Sequence, residues 1–311
     1  MRAAVLHGRE DLRVEEVAEP FGEMIVEVTA ATTCGTDVKM WRHGHPALAP
    51  YPCLFGHETA GRRLDSGERV LVSDSVPCGR CPPCRVGRPQ ICRSPTWVLG
   101  GFAERIATPA AALHPIPEGL PPEAAAMAEP LAAAVHAISR GSYAADVGVL
   151  GGGSIGLMLA GLLAAEGRSV LLADRHPQRR AQAEQLGAGA AEQLQRHDLV
   201  FEAVGRPEAW RDAVAAAAPG GVVVLVGGCP GGSTVTLPTG PPHYDELDLR
   251  GTFHHSPAEV ERALQLLADG EFPWALLRGE TIALEQLAQA LSAAPAGPAR
   301  KWVVDPRRAT S

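Results

Sequence analysis

The chain has 311 residues, of which 46% are hydrophobic and 20% are charged, and its formal net charge is -7. This length is sufficient for two domains with substantial cores, and the composition is that of a globular protein, which excludes a disordered or fibrous chain. The acidic balance and the scattered arginines leave no basic face, so nucleic acid is not an expected partner.

The N-terminal stretch MRAAVLHGREDLRVEE becomes charged almost at once and lacks the apolar run of a signal peptide. We therefore expect a cytoplasmic, reducing location, where clustered thiols are more often metal ligands or redox groups than disulfides. The longest apolar stretch, residues 147–165, is interrupted by GGGSIG. A strand, a glycine turn and a helix explain it better than a membrane span, so no membrane association is predicted.

The first region, residues 1–138, is rich in short β-like runs such as AAVLH, MIVEVTAA and RVLVS. Proline and glycine separate these runs, and helical periodicity first appears in PPEAAAMAEPLAAAVHAI. Three of its segments carry possible metal ligands: TTCGTDVKMW supplies Cys34, Thr36 and Asp37, LFGHETAG supplies His57 and Glu58, and MAEPLAAAVHA supplies Glu129. Read alone, each has an ordinary structural explanation, so spacing does not by itself establish a shared metal site.

A cysteine-rich stretch, CGRCPPCRVGRPQIC, places Cys78, Cys81, Cys84 and Cys92 on one short loop. The C-x2-C-x2-C-x7-C spacing favours a closed tetrahedral zinc site. Bacterial ferredoxins begin with the same C-x2-C-x2-C, but their fourth cysteine follows after three residues and precedes proline, whereas seven residues intervene here and Arg93 follows. A redox-active thiol cluster is the remaining alternative. Four cysteines would saturate zinc, so we expect a structural site.

From residue 139 to 253, the apolar strands VGVLGGG, SVLLAD, DLVFEAVG and GGVVVLVGG alternate with helical stretches. Such alternation predicts a parallel, doubly wound sheet that is buried on both faces. In the last region, residues 254–311, two amphipathic helices and the strand-like KWVVDP are predicted. The apolar faces of these helices consist of Val260, Leu264 and Leu267, and of Leu284, Leu287 and Leu291.

The GGGSIG turn carries Gly151, Gly153 and Gly156 in the G-x-G-x-x-G arrangement, directly after a strand. Gly151 permits the tight turn, Gly153 removes the side chain where a pyrophosphate approaches, and Gly156 lets helix and strand pack closely. The helix that begins at Ser154 and Ile155 supplies N–H groups and a partial positive charge to the phosphates. We predict a dinucleotide site here, with a glycine-rich turn without a ligand as the alternative.

Asp174 ends the second strand of this region, where its carboxylate can accept hydrogen bonds from an adenosine ribose diol. Its negative charge would repel a 2′-phosphate, which favours NAD over NADP. Arg175 and Arg179 complicate this choice, because a neighbouring guanidinium could accommodate that phosphate. Val204, in DLVFEAVG, is a further candidate cofactor-binding residue.

In this order the motifs resemble those of the zinc-dependent medium-chain dehydrogenase/reductase superfamily of alcohol dehydrogenase type, from Met1 to Pro306. The markers are CGTD at 34–37, GHE at 56–58, the cysteine-rich stretch, EP at 129–130, GGGSIG and DLVFEAVG. The glutamate at 129 and the sequence CGTDVKMWRHG are more similar to the polyol (sorbitol or iditol) and threonine dehydrogenase branches than to the animal alcohol dehydrogenases.

The resemblance implies an α/β protein in which a doubly wound (Rossmann) domain is inserted in a mostly β, GroES-like catalytic domain. The implied limits are residues 1–138 for the catalytic domain, with a structural-zinc lobe at 78–92, residues 139–253 for the NAD-binding domain, and residues 254–311 for the return to the catalytic domain. A homodimer or homotetramer is also implied.

For the site, the resemblance implies that Cys34, His57 and Glu129 bind a catalytic zinc, with Glu58 bound directly or through water. The zinc would act as a Lewis acid on a substrate hydroxyl, with which Thr36 could form a hydrogen bond. The implied activity is hydride transfer between NAD and a secondary alcohol of a polyol, cyclitol or similar small molecule, giving the ketone.

The chain departs from this pattern at Lys39, where many relatives have a histidine implicated in passing protons to solvent. RGTFHHSP places His254 and His255 where relatives have residues near nicotinamide or substrate, although a surface or packing pair is the alternative. The substrate pocket is expected to be lined by Met40, Trp41, Phe102 and His254.

Other functions stay open at this point. A threonine-type amino-alcohol dehydrogenase and an aldehyde or ketone reductase are the enzymatic alternatives. A zinc- and dinucleotide-binding redox sensor without turnover, switched by the cysteine-rich stretch, is a further one. Such a sensor would have no need of an open zinc site, which favours the enzyme.

Overall fold

A computed structural model describes residues 1–293 and 297–309 of the chain. Within these ranges, the helices are all too short or too polar to cross a membrane. The secondary structure falls into three stretches that follow the three regions of the sequence.

The first stretch is mostly β. Its strands are β1 (Arg2–Gly8), β2 (Asp11–Glu16), β3 (Met24–Thr32), β4 (Cys53–Leu54), β5 (Glu58–Arg63), β6 (Arg69–Val72), β7 (Ser75–Val76), β8 (Thr96–Trp97), β9 (Arg105–Thr108) and β10 (Leu113–Pro115). Its helices are α1 (Gly35–His43), α2 (Pro82–Arg85), α3 (Pro122–Ala126) and α4 (Ala128–Arg140), with 3₁₀ turns at Pro89–Ile91 and Ala110–Ala112.

The second stretch alternates strands and helices. It contains β11 (Asp146–Leu150), α5 (Ser154–Ala165), β12 (Ser169–Ala173), α6 (Pro177–Gln185), β13 (Gly189–Ala191), β14 (His197–Glu202), α7 (Pro207–Ala215), β15 (Ala217–Leu225), α8 (Gly240–Tyr244) and β16 (Asp248–Gly251). All six strands are parallel, in the order β13-β12-β11-β14-β15-β16. This is the strand order of a doubly wound dinucleotide-binding sheet, so the predicted fold class is confirmed.

The third stretch returns to the first. It contains α9 (Pro257–Ala268), β17 (Arg278–Ile282), α10 (Leu287–Ser292) and β18 (Lys301–Val304), with 3₁₀ turns at Trp274–Leu277 and Leu284–Gln286. Strand β18 pairs antiparallel with β3, in the sheet β10-β6-β5-β3-β18-β17, and β9 also pairs with β3. The C-terminal strand thus completes a sheet that begins near the N-terminus. The division of the chain at residues 138 and 253 stays a prediction.

Two apolar clusters hold these stretches together. One lies under the parallel sheet and also takes in α3, α4 and α9, so that Met127, Leu157 and Leu264 belong to one core. The other fills the mostly β part, where Val28 and Phe55 pack with Leu287. The two predicted amphipathic faces, of Val260, Leu264 and Leu267 and of Leu284, Leu287 and Leu291, are all buried. Burying one such side chain contributes about 1.5–3 kcal/mol.

Candidate active site and cofactor site

The four cysteines of the lobe, residues 78–92, come together as predicted. Their sulfur atoms all lie within 4.8 Å of one another, and none forms a disulfide. The backbone N–H groups of Cys78 and Ser94 point at the sulfur of Cys92, at 3.2 and 3.4 Å. The N–H of Arg93 points at Cys81, and together with the N–H of Cys84 it lowers the pKa of this thiol to about 6. Thiolates with backbone N–H partners suit a closed, four-sulfur zinc site.

A second group of donors forms where α1 begins. Cys34 precedes the first residue of α1, and Asp37 accepts a hydrogen bond of 2.8 Å from the Cys34 N–H. The other oxygen of Asp37, which is fully buried, lies 3.0 Å from Nδ1 of His57. This partner fixes the ring so that Nδ1 carries the proton and Nε2 is free to bind a cation. Donor atoms of Cys34, His57 and Glu58 lie within 4.8 Å of one another.

The electrostatics of His57 follow from the same neighbours. Burial would lower its pKa, but Asp37 and, further down in size, Cys34 and Glu129 favour the charged ring. The pKa of His57 therefore lies well above its usual value. A buried imidazole facing a thiol and two carboxylates is a place where positive charge is stabilised, and a zinc ion fits that requirement.

Glu58, at the first position of β5, is held by the chain itself. Lys301 opens β18, and its Nζ lies 2.7 Å from Oε1 of Glu58 and 2.8 Å from the carbonyl oxygen of Thr33. The hydroxyl of Thr32 donates to the other oxygen of Glu58. Burial raises the pKa of Glu58 to about 7, while the Lys301 ammonium opposes that rise. Both oxygens of Glu58 thus have protein partners beside Cys34 and His57.

Glu129 lies in the first turn of α4, where its side chain is 10% exposed. Its Oε1 lies 3.3 Å from Nε2 of His255, and both residues belong to a group with Asp74 and His254. Glu129 therefore lies close enough to His57 to raise the pKa of that ring. The Glu129 carboxylate itself, however, lies among Asp74, His254 and His255. His254 and His255 are not a surface pair, since their side chains are only 10% and 2% exposed.

The glycine turn is closely packed at two of its three motif glycines, Gly151 and Gly156. Gly151 has a φ of 105°, and a Cβ on it would meet Val204 and the carbonyl of Ala203. A Cβ on Gly156 would lie 1.8 Å from the carbonyl oxygen of Gly151, so only glycine fits there. A Cβ on Gly153 would meet open space, which leaves its backbone free to be approached.

Comparisons with known proteins agree with this geometry. The alcohol dehydrogenase GroES-like domain family matches residues 20–118, and the zinc-binding dehydrogenase family matches residues 154–269. L-Galactonate-5-dehydrogenase of Escherichia coli (strain K12) is 30% identical, with 80% of this chain aligned to 81% of the relative. The chain belongs to the zinc-binding alcohol dehydrogenase family.

Two further members of this alcohol dehydrogenase family are similar over nearly the full chain. Sorbitol dehydrogenase of Bacillus subtilis (strain 168) is 27% identical, with 94% of this chain aligned to 93% of the relative. The crystal structure of a protein from Sinorhizobium meliloti 1021, described as a zinc-binding dehydrogenase and bound to NADP, superposes with a TM-score of 0.89 at 29% identity, covering 98% of this chain and 99% of that one.

At the end of β12 of this dehydrogenase, Asp174 has several protein partners. Its Oδ2 accepts a 2.7 Å hydrogen bond from the Gly152 N–H, and its Oδ1 accepts one of 2.8 Å from the His176 N–H and lies 2.7 Å from His176 Nδ1. Burial would raise the pKa of Asp174, but these amide donors outweigh it and lower the pKa. The Asp174 carboxylate is therefore ionised, and its hydrogen bond with the Gly152 N–H stabilises the glycine turn.

The remaining predicted cofactor residues lie at Asp174 or at the glycine turn. Arg179 lies 3.5 Å from Oδ2 of Asp174 and donates to the carbonyl of Gly297, whereas Arg175 is exposed. Ser154 and Ile155 begin α5, directly after the turn. Val204 is 44% exposed and touches the Cβ position of Gly151. Val204 and Arg179 thus lie next to glycines of the turn, and Ser154 and Ile155 follow it directly.

Helix α1 carries two more of the predicted residues. Thr36 is its second residue and is half-buried. Lys39 is exposed, and its Nζ donates a 2.9 Å hydrogen bond to the carbonyl of Gly228, in the loop after β15. Lys39 therefore joins the helix next to Cys34 to the dinucleotide-binding part of the chain.

The expected lining of the substrate pocket is corrected at three positions. Met40, Trp41 and Phe102 are 2%, 8% and 0% exposed and pack in the apolar core of the mostly β part. Phe102 stacks edge-to-face on Phe55 at a centroid distance of 4.9 Å. Burial in this core stabilises them more than exposure in a polar cleft would. His254 does border the polar group around Glu129.

Two contributing residues were not named for the site in the sequence analysis: Lys301 as the partner of Glu58, and Asp74 as the partner of His254. Asp37 was named there as a possible metal ligand, but its pairing with His57 was not predicted. Lys301 offered a signal, because the chain contains only two lysines and this one begins the apolar strand β18. Asp37 offered another, since a carboxylate three residues after Cys34 can cap the helix that follows.

Proposed function

We propose that this dehydrogenase oxidises a secondary alcohol of a polyol, cyclitol or similar hydroxylated small molecule to the ketone. The alcohol loses a hydride to NAD and a proton to solvent, so that ketone, NADH and a proton are the products. The observation that carries the proposal is the orientation of His57. Its Nδ1 is held by buried Asp37, which leaves its other nitrogen to face Cys34.

A zinc ion at this position would be held by Cys34, His57 and Glu129. One thiolate, one imidazole and one carboxylate are three protein ligands, which is the number that a catalytic zinc uses when a fourth position stays open. When bound, zinc supplies Lewis acidity toward the oxygen of the substrate. Glu58 lies beside this set with its charge balanced by Lys301, so it adds little net negative charge to the site.

The protein residues around the ligands orient the substrate and remove its proton. Thr36 follows Cys34 by two residues and can accept a hydrogen bond from the substrate hydroxyl. Lys39, through its bond to the Gly228 carbonyl, holds α1 against the loop after β15. Hydride transfer requires that the substrate carbon lies next to the nicotinamide. The Lys39 contact joins the helix next to Cys34 to the dinucleotide-binding part of the chain and so supports this arrangement.

We propose NAD as the preferred cofactor. Asp174 is ionised, lies next to Gly152 of the glycine turn, and would repel a 2′-phosphate. Arg179 already lies beside the Asp174 carboxylate, which leaves exposed Arg175 as the guanidinium that could favour NADP. Steady-state kinetics should give a kcat/KM for NAD at least about 10-fold above that for NADP, and Asp174→Ala should reduce this preference. A higher kcat/KM for NADP would contradict the assignment.

The substrate class is supported by the names of relatives. One acts on a sugar acid at C5 and another on sorbitol, and both are polyhydroxylated compounds. The test is a panel of alditols, sugar acids, cyclitols, amino alcohols and simple alcohols, followed by the near-ultraviolet absorbance of NADH. We expect the highest kcat/KM with a polyhydroxylated secondary alcohol, and Cys34→Ser as the control should abolish the signal.

Two outcomes would change the proposal. A highest kcat/KM with threonine-like amino alcohols would replace polyols by amino alcohols as the substrate class. A protein that binds zinc and NADH but reduces NAD with no member of the panel, and reduces no aldehyde or ketone with NADH, would be a sensor and not an enzyme. The predicted homodimer or homotetramer is checked by light scattering of the purified protein.

A further inference from the structure

A buried group of four side chains lies next to the proposed catalytic site. It consists of Asp74, which follows β6, Glu129 of α4, and His254 and His255, which follow β16. One donor atom from each of them lies within 4.8 Å of the others, and the four side chains are at most 10% exposed. These residues come from three distant segments, so their convergence is a property of the fold.

The tautomer of His254 is fixed by the backbone. Its Nδ1 lies 2.9 Å from the carbonyl oxygen of His255, and a carbonyl can only accept, so Nδ1 carries a proton. In the neutral ring Nε2 is then an acceptor, yet it faces both oxygens of Asp74 at 2.8 and 2.9 Å. Two acceptors at this distance repel each other unless a positive species lies between them. That species is either a second ring proton or a metal cation.

The arrangement of His254 matches that of a metal ligand. Histidines that bind metals nearly always donate their other ring N–H to a carbonyl or carboxylate, as Nδ1 of His254 does here. His254 also has a φ of 60°, in the left-handed region that residues other than glycine rarely adopt. Conformations of this kind are found where the surroundings hold a side chain in one functional position.

The charges of the group also favour a divalent cation. Two carboxylates and two neutral imidazoles bury a charge of about -2, which a second ring proton on His254, the neighbouring His57 or a bound cation can offset. His255 does not neutralise both carboxylates, since its Nε2 lies 3.3 Å from Glu129 and 3.8 Å from Asp74. One proton on His254 leaves the group negative, whereas a divalent cation balances it.

We propose that Asp74, Glu129, His254 and His255 form an additional metal site that binds a first-row divalent transition metal such as Zn²⁺. Two imidazoles and two carboxylates form a mixed nitrogen and oxygen set, which suits zinc, cobalt and related ions better than calcium or magnesium. A cavity of about 10 Å³, bordered by both histidines and by Ser73 and Ser75, leaves room for one water molecule beside the cluster.

This site is distinct from the two that the sequence predicts, because it contains no sulfur. Glu129 is the residue common to it and to the proposed catalytic zinc. Its Oε1 faces His255, and its Oε2 has no hydrogen-bond partner among the described residues. A carboxylate has two oxygens and can bind two cations at once, as carboxylates do in two-metal sites.

The test uses cobalt as the probe, because cobalt bound to thiolate shows a strong charge-transfer band that cobalt bound only to nitrogen and oxygen lacks. The full-length protein is stripped of metal and titrated with Co²⁺. We expect one equivalent that binds without adding to the thiolate band. His254→Gln and Asp74→Asn should each lose this equivalent and keep the thiolate band, whereas His243→Gln, in α8 and exposed, should lose neither.

The cobalt titration of the wild-type protein tests the proposed metal site even if a variant fails to fold. If every bound cobalt contributes to the thiolate band, the group is an ion-pair cluster only and the proposal is wrong. It is equally wrong if folded His254→Gln and Asp74→Asn retain the sulfur-free equivalent. Failure of the proposed enzyme function would instead appear as missing NAD reduction, with Cys34 still contributing to the thiolate band.

Discussion

The cysteine lobe and the site around Cys34 are two candidate zinc sites with opposite construction. The lobe takes all four thiols from one short loop, and the N–H groups that point at their sulfurs belong to the same loop. The site around Cys34 uses residues that the fold brings together, and Glu58 and Lys301 are 243 positions apart. A local site can be recognised from spacing, whereas a dispersed one requires the tertiary structure.

The two sites also differ in the ligands that they offer a zinc ion. Four thiolates saturate a zinc ion and leave no position for a substrate, so the lobe can stabilise the fold but has no open coordination position. Cys34 and His57 lie among buried carboxylates, a buried lysine and further histidines. Buried groups with shifted pKa values are typical of reactive sites. Each of the following changes affects one site and is expected to spare the other.

The largest expected effect follows replacement of His57. His57→Ala removes a proposed zinc ligand, so turnover should fall by about 10³-fold or more, which corresponds to several kcal/mol of lost Lewis-acid stabilisation. NADH formation measures the loss. NADH binding, followed by its fluorescence, should stay close to that of the wild type. His7→Ala, a change to a hairpin histidine paired with Glu15, is the control. An equal loss of NADH binding would point to unfolding.

A smaller effect is expected in the lobe. Cys84→Ser breaks the four-thiolate set, and loss of a structural metal costs about 4 kcal/mol or more. The melting temperature should therefore fall by roughly 10 °C, as measured by circular dichroism. The kcat of the molecules that remain folded should stay within about 2-fold of the wild type. A kcat as low as that of His57→Ala, with an unchanged melting temperature, would contradict this prediction. It would indicate that the reaction takes place at the lobe.

The smallest of these effects belongs to Asp37. Asp37→Asn keeps the size of the side chain but removes the charge that holds Nδ1 of His57, and partners of metal-bound histidines contribute about 10- to 100-fold in metal affinity. Zinc affinity of the Cys34 site should weaken by that factor in competition with a chelator. Zinc in the lobe should be unchanged, and excess zinc should restore much of the activity. Unchanged affinity at both sites would mean that Asp37 only caps α1.

How much of this arrangement could be predicted depended on how far apart the interacting residues are. The parallel sheet and the glycine turn follow from local patterns, and the structure confirms the alternation and the spacing around Gly151. The pairs His57–Asp37 and His254–Asp74 were not predicted, because a lone histidine carries no information about which distant carboxylate it will meet. Met40, Trp41 and Phe102 were expected to line a pocket, but burial of apolar area placed them in the core.

We propose that the Cys34 site, and not the lobe, binds the substrate. Cobalt-substituted protein tests it directly, because the thiolate-to-cobalt band of each site reports on its ligands. Adding the best substrate of the panel should shift the part of the band that disappears in Cys34→Ser and leave the part that disappears in Cys84→Ser unchanged. Turnover of a substrate that shifts only the Cys84-dependent part of the band, or neither part, would mean that the Cys34 site does not bind the substrate.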